Sequence, residues 1–169
     1  MSIDSGVDHT PARVSSAFAI GAAVLALGAL VVSTAGVAVI SGMIGVALIL
    51  LGLYRGSRSV LTIGGGGLFF GVLVAGAFGA RPRAVLIATV AVVLAWDAGT
   101  DAIIVGERLG RTARTRRIEI VHTAATTVVI GLAAGGGYLV YQLSAGGTSP
   151  VALIVLLVAA VLLTVAIRW

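Results

Sequence analysis

Long uninterrupted apolar runs dominate the chain and predict membrane-spanning helices. Most of them approach the ~20 residues that a helix needs to cross a bilayer core of roughly 30 Å. None alternates between polar and apolar positions as a barrel strand does, and a backbone in lipid must satisfy its own hydrogen bonds. We therefore predict an all-α polytopic integral membrane protein with six transmembrane helices. Their expected bounds are about 15–32, 37–54, 60–79, 84–105, 118–142 and 150–167.

The composition supports this class of protein and indicates which molecules it contacts. Hydrophobic residues make up 59% of the 169 residues and charged residues only 10%, against about 25% charged in a soluble domain. The chain has no cysteine, which excludes disulfides and thiolate metal sites. Its net charge of +5 comes from arginines that flank apolar runs. At such positions basic residues are better explained by a role in membrane topology than by nucleic-acid binding. We expect contact with a lipid bilayer and none with nucleic acid.

The arginines are distributed unevenly between the connections of the six predicted helices. Short cytoplasmic loops are enriched in basic residues, so a nine-to-two split predicts that both termini are cytoplasmic in a multi-pass protein of the cell membrane. An odd number of spans would spread the arginines over both faces. The cytoplasmic side holds Arg13, Arg55, Arg58, Arg108, Arg111, Arg114, Arg116, Arg117 and Arg168, and the other side holds Arg81 and Arg83.

The N-terminal part has two interpretations. Residues 1–14 are polar and aperiodic, which predicts a flexible cytoplasmic tail before a transmembrane domain at 15–169. The same region also resembles a signal peptide with a small-residue cleavage site, formed by Arg13, the apolar run after it and "STAG" at 33–36. We favour "STAG" as the turn between helices one and two, because residues 15–54 fit a two-helix hairpin.

Small residues recur at every fourth position in two runs, which predicts close helix packing. The clusters "GGGG" and "GGG" lie inside apolar runs, without the strand and lysine of a phosphate loop. Small residues spaced by four make a smooth face on which helix backbones approach closely in lipid. The alternative is a glycine-broken helix that lines a substrate path. The predicted packing positions are Gly67, Gly71, Ala75 and Gly79 in helix three, and Gly131 and Gly135 in helix five.

The polar stretch "LAWDAGTDAIIVGERLGRTARTRRIEIVHTAATT", residues 94–127, holds four of the six carboxylates. Asp97 and Asp101 are four residues apart and share one face of helix four. Glu119 and His122 share one face of helix five, which the short connection makes an antiparallel neighbour of helix four. We predict a polar hairpin that dips into the membrane, with Asp97 coupled to His122 and with Arg108 within reach of Asp101.

Three interpretations of this candidate polar cluster (Asp97, Asp101, Glu119 and His122) follow. A Glu-x-x-His pair with two aspartates opposite can ligate a metal, although a single such pair does not complete the di-iron pattern. Ionisable groups inside membrane helices also serve as proton or cation relays. We favour a structural role, in which the carboxylates pair with a cytoplasmic basic loop and fix the hairpin, so we predict no bound metal or cofactor. The loop residues are Arg108, Arg111, Arg114, Arg116 and Arg117.

Short motifs in the same segment resemble an uncharacterised family of small haloarchaeal membrane proteins. They are the Trp-Asp pair that closes a hydrophobic helix, the Gly-Glu-x-Leu-Gly turn at 106–110 and the Glu-x-x-His that opens the next helix. The segment "LGLYRGSRSVLTIGGGGLFFGVLVAG" is similar to the middle hairpin of that family, and the likeness covers most of 15–169. The resemblance implies association with a MoxR-type ATPase and its membrane partners. It supplies no catalytic residues.

These observations favour a non-enzymatic function. The sequence has no Gly-x-Ser-x-Gly elbow and no His-Glu-x-x-His helix, so we assign no catalytic residue. The leading hypothesis is an accessory or scaffold subunit that contacts a cytoplasmic partner through residues 106–118. The alternative is a small transporter or channel that uses Asp97, Asp101 and His122 as an intramembrane relay. A membrane enzyme ranks third.

Overall fold

The structure is a computed structural model that describes residues 12–32, 36–109 and 116–143, apart from the side chains at 108, 109, 116, 118 and 119. The described residues form helices and turns, with no strand among them. The chain divides into two compact units, residues 1–128 and 129–169. The helices are α1 (Arg13–Val31), α2 (Gly36–Arg55), α3 (Arg58–Ala77), α4 (Pro82–Leu109) and α5 (Arg116–Leu143).

Each of these helices is long and apolar enough to cross a membrane, which makes five spans among the described residues where the sequence predicts six for the whole chain. The sixth expected span, 150–167, lies outside the described residues, and so do residues 1–11 and 33–35. The all-α, membrane-type architecture is confirmed. α4 continues four residues beyond its expected end at 105, because Glu107, Arg108 and Leu109 are all good helix formers.

Two glycines end helices in the first unit. Gly56 has φ +63° between α2 and α3, and Gly79 has φ +81° between α3 and α4. Only glycine adopts these left-handed conformations without a steric cost. Helix α3 therefore ends at Ala77, two residues before its expected end, and Gly79 belongs to the turn rather than to a packed face.

The closest packing in the first unit is between α2 and α3, and glycine makes it possible. A Cβ added to Gly45 would lie 2.6 Å from the backbone nitrogen of Leu68, and one added to Gly64 would lie 2.7 Å from that of Ile49. Real Cβ atoms do not approach so closely, so the two backbones pack at a separation that only glycine allows. A further Cβ, at Gly52, would lie 2.6 Å from the backbone nitrogen of Leu61.

Two of the predicted packing positions lie at this contact. A Cβ at Gly71 would lie 2.9 Å from the carbonyl oxygen of Ala38. The carbonyl of Gly67 accepts a hydrogen bond from Ser41 Oγ at 2.7 Å, which joins the two helices. The predicted position Ala75 is buried on the same helix.

The predicted positions on α5 have different surroundings. Gly131 and Gly135 are exposed, and a Cβ added to either would meet no described atom within 4 Å. Gly79 likewise has nothing within 4 Å. The described part of the second unit, residues 129–143, also contains Tyr138 and Tyr141, whose rings stack at a centroid distance of 6.2 Å.

Helices α1 and α4 form a second extensive contact, which is built from alanine. The backbone N–H of Ala12 donates to the carbonyl of Ala102 at 2.9 Å, so the start of α1 lies beside the last turns of α4. The two helices are therefore antiparallel. Their buried alanines are Ala19, Ala22, Ala23 and Ala26 in α1, and Ala88, Ala91, Ala95, Ala98 and Ala102 in α4.

Large apolar side chains lie on the outside of these four helices. A soluble protein would bury them, whereas lipid solvates them as well as a protein interior does. Small residues can then occupy the helix contacts, where close backbone approach gains dispersion energy. This arrangement fits a multi-pass membrane protein. Examples of the exposed residues are Leu25, Ile40, Met43, Phe70 and Leu73.

Candidate functional site

Charged side chains gather at one end of the first unit. Arg58 opens α3, and its Nη2 pairs with Oε2 of Glu107 near the end of α4. The start of α1 lies at the same end, through the hydrogen bond between Ala12 and Ala102. The turn between α2 and α3 is there too, with Arg55 in the last turn of α2. The opposite end carries Arg81 and Arg83 around the turn that follows α3.

The candidate site lies inward from this charged end, between α4 and α5. His122 Nε2 is 2.7 Å from Asp101 Oδ2, a hydrogen-bond distance, and 3.9 Å from Asp97 Oδ2. The aspartates present their carboxylates on one face of α4 because four residues bring the chain once around the helix. His122 approaches them from the second turn of α5.

The depth of the site follows from helix geometry. The apolar part of α4 ends at Glu107, so Asp101 lies about 9 Å and Asp97 about 15 Å inward along the helix axis. His122 lies two residues inside the apolar part of α5, which begins at Ile120. The site therefore extends inward from the charged end to near the middle of the apolar part of α4, and Asp101 lies closer to the charged end than Asp97.

The side chains at the site remain partly exposed. The exposed fraction is 39% for Asp97, 33% for Asp101 and 53% for His122. Neighbouring hydroxyls are engaged within their own helices, since Thr100 donates to the carbonyl of Trp96 at 2.8 Å and Thr127 donates to that of Thr123 at 2.7 Å. The carboxylates and the imidazole thus keep open edges that a ligand can approach.

The structure brings together three of the four residues of the predicted polar cluster. Helix register places His122 closer to Asp101 than to Asp97, whereas the depth argument from sequence paired it with Asp97. Glu119 lies in the first turn of α5, and its side chain is outside the described residues. The predicted contact between Arg108 and Asp101 is outside them as well.

The basic loop is described only in part. Arg111 and Arg114 lie outside the described residues. Arg108 belongs to α4 and Arg116 to α5, in both cases without a described side chain. Arg117 is exposed. The structure therefore leaves the pairing of this loop with the cluster as a prediction.

The ion pair between Arg58 and Glu107 was not predicted from sequence. Arg58 follows Gly56 in "YRGSR" and Glu107 follows Gly106 in "VGER", and both residues fall on the side rich in arginine. That shared side is a signal for possible pairing. It does not show that α3 and α4 are neighbours, which the structure establishes.

An apolar groove of about 270 Å³ lies farther along α3 and α4. Trp96 is one of its lining residues, and its Nε1 donates to Thr62 Oγ1 at 3.4 Å. The groove has almost no polar surface and opens outward, as expected for a surface that faces lipid chains. Its lining residues are Thr62, Gly65, Gly66, Phe69, Val92, Val93 and Trp96.

Two carboxylates and one imidazole support three kinds of chemistry. They can share a proton, because Asp101 and His122 are at hydrogen-bond distance. They can bind a cation, since the three donor atoms lie within 4.8 Å of one another. They can also join α4 to α5 as a polar clamp.

Comparisons with known proteins place the chain in a family. No curated protein and no solved structure matches it significantly. A family profile does match, over residues 9–164, which spans all five described helices and the candidate site. The chain therefore belongs to DUF7519, a family of unknown function.

Proposed function

We propose that this protein is a non-enzymatic accessory or scaffold subunit of a membrane-associated complex. In this proposal it crosses the cell membrane six times, with both termini in the cytoplasm, and contacts its partner through residues 106–118. The main support for the proposal is the largely apolar interior of α1–α4 among the described residues, taken with the concentration of charge at one end of these helices.

The described interior of α1–α4 is largely apolar, although the hydroxyl of Ser16 is enclosed within it. Among the described buried residues, Ser15 is the one polar side chain, and the others are aliphatic residues and glycine. A transporter or channel needs polar groups or water along its substrate path, near the membrane midplane in many transporter folds. Closely packed alanine and glycine contacts fill the space that such a path would need. Transport through these helices is therefore disfavoured.

Charge at one end provides a surface for a protein partner. Arg55, Arg58, Glu107 and Arg117 are exposed there, and the connection between α4 and α5 adds further arginines by sequence. Exposed arginine is common in protein interfaces because its guanidinium forms several directed hydrogen bonds. The similarity to haloarchaeal membrane proteins supports a MoxR-type ATPase as the class of partner.

Site-specific cross-linking tests this interaction. The chain lacks cysteine, so a single cysteine at Thr112, labelled with a photoreactive maleimide, gives one cross-linking position. The matched control is Ala80→Cys in the opposite turn. We expect Thr112→Cys to cross-link an ATPase subunit in native membranes, and Ala80→Cys not to. Cross-linking of lipid alone at position 112 would contradict the accessory function.

The transporter remains the second candidate because Asp97, Asp101 and His122 converge at one place. Purified protein in liposomes should show no proton or cation flux above that of empty liposomes. Flux that disappears in Asp101→Asn, but persists in the exposed-pair variant Glu107→Gln, would favour the transporter over the accessory subunit.

Labelling by an impermeant maleimide tests the proposed topology. Cysteines at Ser57 and Thr112 should react from the cytoplasmic side, and one at Gly147 should react from outside. These positions represent the α2–α3 turn, the connection between α4 and α5, and the segment after α5. Labelling of positions 57 and 147 from the same side would rule out six spans.

A further inference from the structure

We propose that Asp97, Asp101 and His122 form a binding site for a first-row transition-metal dication. This site is independent of the proposed accessory function, because it requires no partner protein. Its basis is the convergence of three donor groups from two helices, with each group placed by regular helical structure rather than by a loop.

The distances between the donor atoms suit a metal ion. Nε2 of His122 lies 2.7 Å from one aspartate oxygen and 3.9 Å from the other, and all three donor atoms lie within 4.8 Å of one another. Metal–ligand bonds of about 2.0–2.2 Å in tetrahedral geometry separate the ligand atoms by about 3.3 Å. The observed distances lie on both sides of this value, so metal binding requires the aspartate side chains to rotate from their present positions.

The imidazole determines which class of metal is expected. Two aspartates on one helix are an acidic pair, which by itself selects no particular ion. A histidine nitrogen from a second helix adds a donor that transition metals prefer, whereas Mg²⁺ and Ca²⁺ favour oxygen ligands. One nitrogen and two carboxylates are a donor set used by Zn²⁺, Mn²⁺, Fe²⁺ and Co²⁺. Three protein ligands leave further coordination positions for water.

The placement of the site is compatible with metal entry. The three side chains are between one-third and about one-half exposed, so an ion can exchange with solvent without opening the helices. Four-residue spacing on α4 holds both carboxylates on one face, which reduces the conformational entropy lost on binding. Two negative charges would neutralise a dication at a depth where an unpaired charge is unfavourable.

Metal titration of the purified full chain, prepared without a polyhistidine tag, tests the proposal. Co²⁺ serves as the probe because its visible absorption reports nitrogen and oxygen coordination, and Zn²⁺ competition reports relative affinity. We expect one Co²⁺ per chain, displaced by Zn²⁺ and not by an equal concentration of Mg²⁺. Asp101→Asn and His122→Gln should each weaken Co²⁺ binding at least about tenfold.

Two matched variants control for other binding sites. His9 is the other histidine of the chain and lies near Asp4 and Asp8 in the sequence. His9→Gln therefore tests for metal binding by the N-terminal segment. Glu107→Gln removes a carboxylate from the same end of α4 but outside the cluster. Both variants should bind Co²⁺ as the unsubstituted protein does.

Chemical modification provides a measurement that does not depend on variant folding. Diethyl pyrocarbonate modifies accessible imidazoles, and peptide mass spectrometry separates His122 from His9. Zn²⁺ should protect His122 and leave the modification of His9 unchanged. Protection of His9 alone, unchanged Co²⁺ binding in His122→Gln, or equal competition by Mg²⁺ would each overturn the proposal.

Discussion

The contacts between α2 and α3 and between α4 and α5 differ in kind. α2 and α3 meet backbone to backbone, so closely that a Cβ on Gly45 would lie 2.6 Å from the nitrogen of Leu68. α4 and α5 meet in the first unit through polar side chains, with His122 at 2.7 Å from Asp101. The first contact is buried, whereas the second is partly exposed.

Because of this difference, the α2–α3 contact mainly stabilises the fold, whereas the α4–α5 contact presents groups that can react or bind. In lipid, helices gain little hydrophobic free energy by association, so close approach and dispersion stabilise the α2–α3 contact. At Gly45, Gly52 and Gly64 such a contact leaves no room for a Cβ, and it offers no side-chain group to a ligand. The polar contact between Asp101 and His122 competes with water and contributes less to folding. Its donors are correspondingly available for a proton, a metal or a partner.

The largest effect is expected from Gly71→Leu. A Cβ at this position would lie 2.9 Å from the carbonyl oxygen of Ala38, so a leucine must force α2 and α3 apart. Overpacking typically costs about 1–3 kcal/mol, and more where the opposing atoms are backbone. We expect a lower thermal midpoint in detergent, measured by circular dichroism, than for Leu68→Ala, which leaves both backbones in place. A midpoint equal to that of the unsubstituted protein would show that the contact is not close-packed.

A single methyl group should distinguish two glycines of α3. Gly64→Ala would place a Cβ 2.7 Å from the backbone nitrogen of Ile49, whereas Gly66→Ala would meet no described atom within 4 Å. Both substitutions bring the same gain in helix propensity, up to about 1 kcal/mol. We expect Gly64→Ala to lower the free energy of unfolding by about 1–3 kcal/mol, and Gly66→Ala to leave it equal or higher. Equal midpoints for the two variants would refute the difference.

The sequence predicted the class of fold because apolar runs of membrane length need little tertiary information. It predicted the packing of glycines less completely. A spacing of four residues singled out Gly71, but Gly45 and Gly64 form closer contacts. In a chain with 24 glycines, small size alone does not identify the glycines that face a neighbour. That depends on the rotation of each helix about its axis, which neighbouring helices determine.

The sequence was equally unable to predict the axial position of α5 relative to α4 at the candidate site. Four-residue spacing predicted that Asp97 and Asp101 share one face, and in the structure His122 of α5 lies at hydrogen-bond distance from Asp101 on that face. One helical turn is about 5.4 Å, so a small axial shift of α5 determines which aspartate meets His122. The loop sequence does not specify this shift. The pair formed by Arg58 and Glu107 was missed because it depends on the adjacency of α3 and α4.

Double-mutant cycles should resolve this register. We expect a coupling free energy of about 0.5–1.5 kcal/mol between Asp101→Asn and His122→Gln, because the side chains are at hydrogen-bond distance. The coupling between Asp97→Asn and His122→Gln should be smaller, since 3.9 Å is beyond that distance. The free energy of unfolding is measured in detergent with a chelator present, so that bound metal does not contribute. A larger coupling for Asp97 would place α5 in the register first expected from sequence.

The smallest effect is expected from the ion pair between Arg58 and Glu107. Both side chains are about half exposed, with exposed fractions of 48% and 47%, so water and salt screen their attraction. Exposed pairs contribute about 0.2–1 kcal/mol, and we expect Glu107→Gln to lower the free energy of unfolding by no more than this.

Arg55→Gln is the matched control, because it removes a charge from the same end without affecting the pair. The difference between the two variants should vanish in about 1 M salt, where the Debye length is about 3 Å. A difference that persists at that concentration would mean that the pair is shielded from solvent in the membrane, and that this end of the protein, like the α2–α3 contact, is held by more than exposed charges.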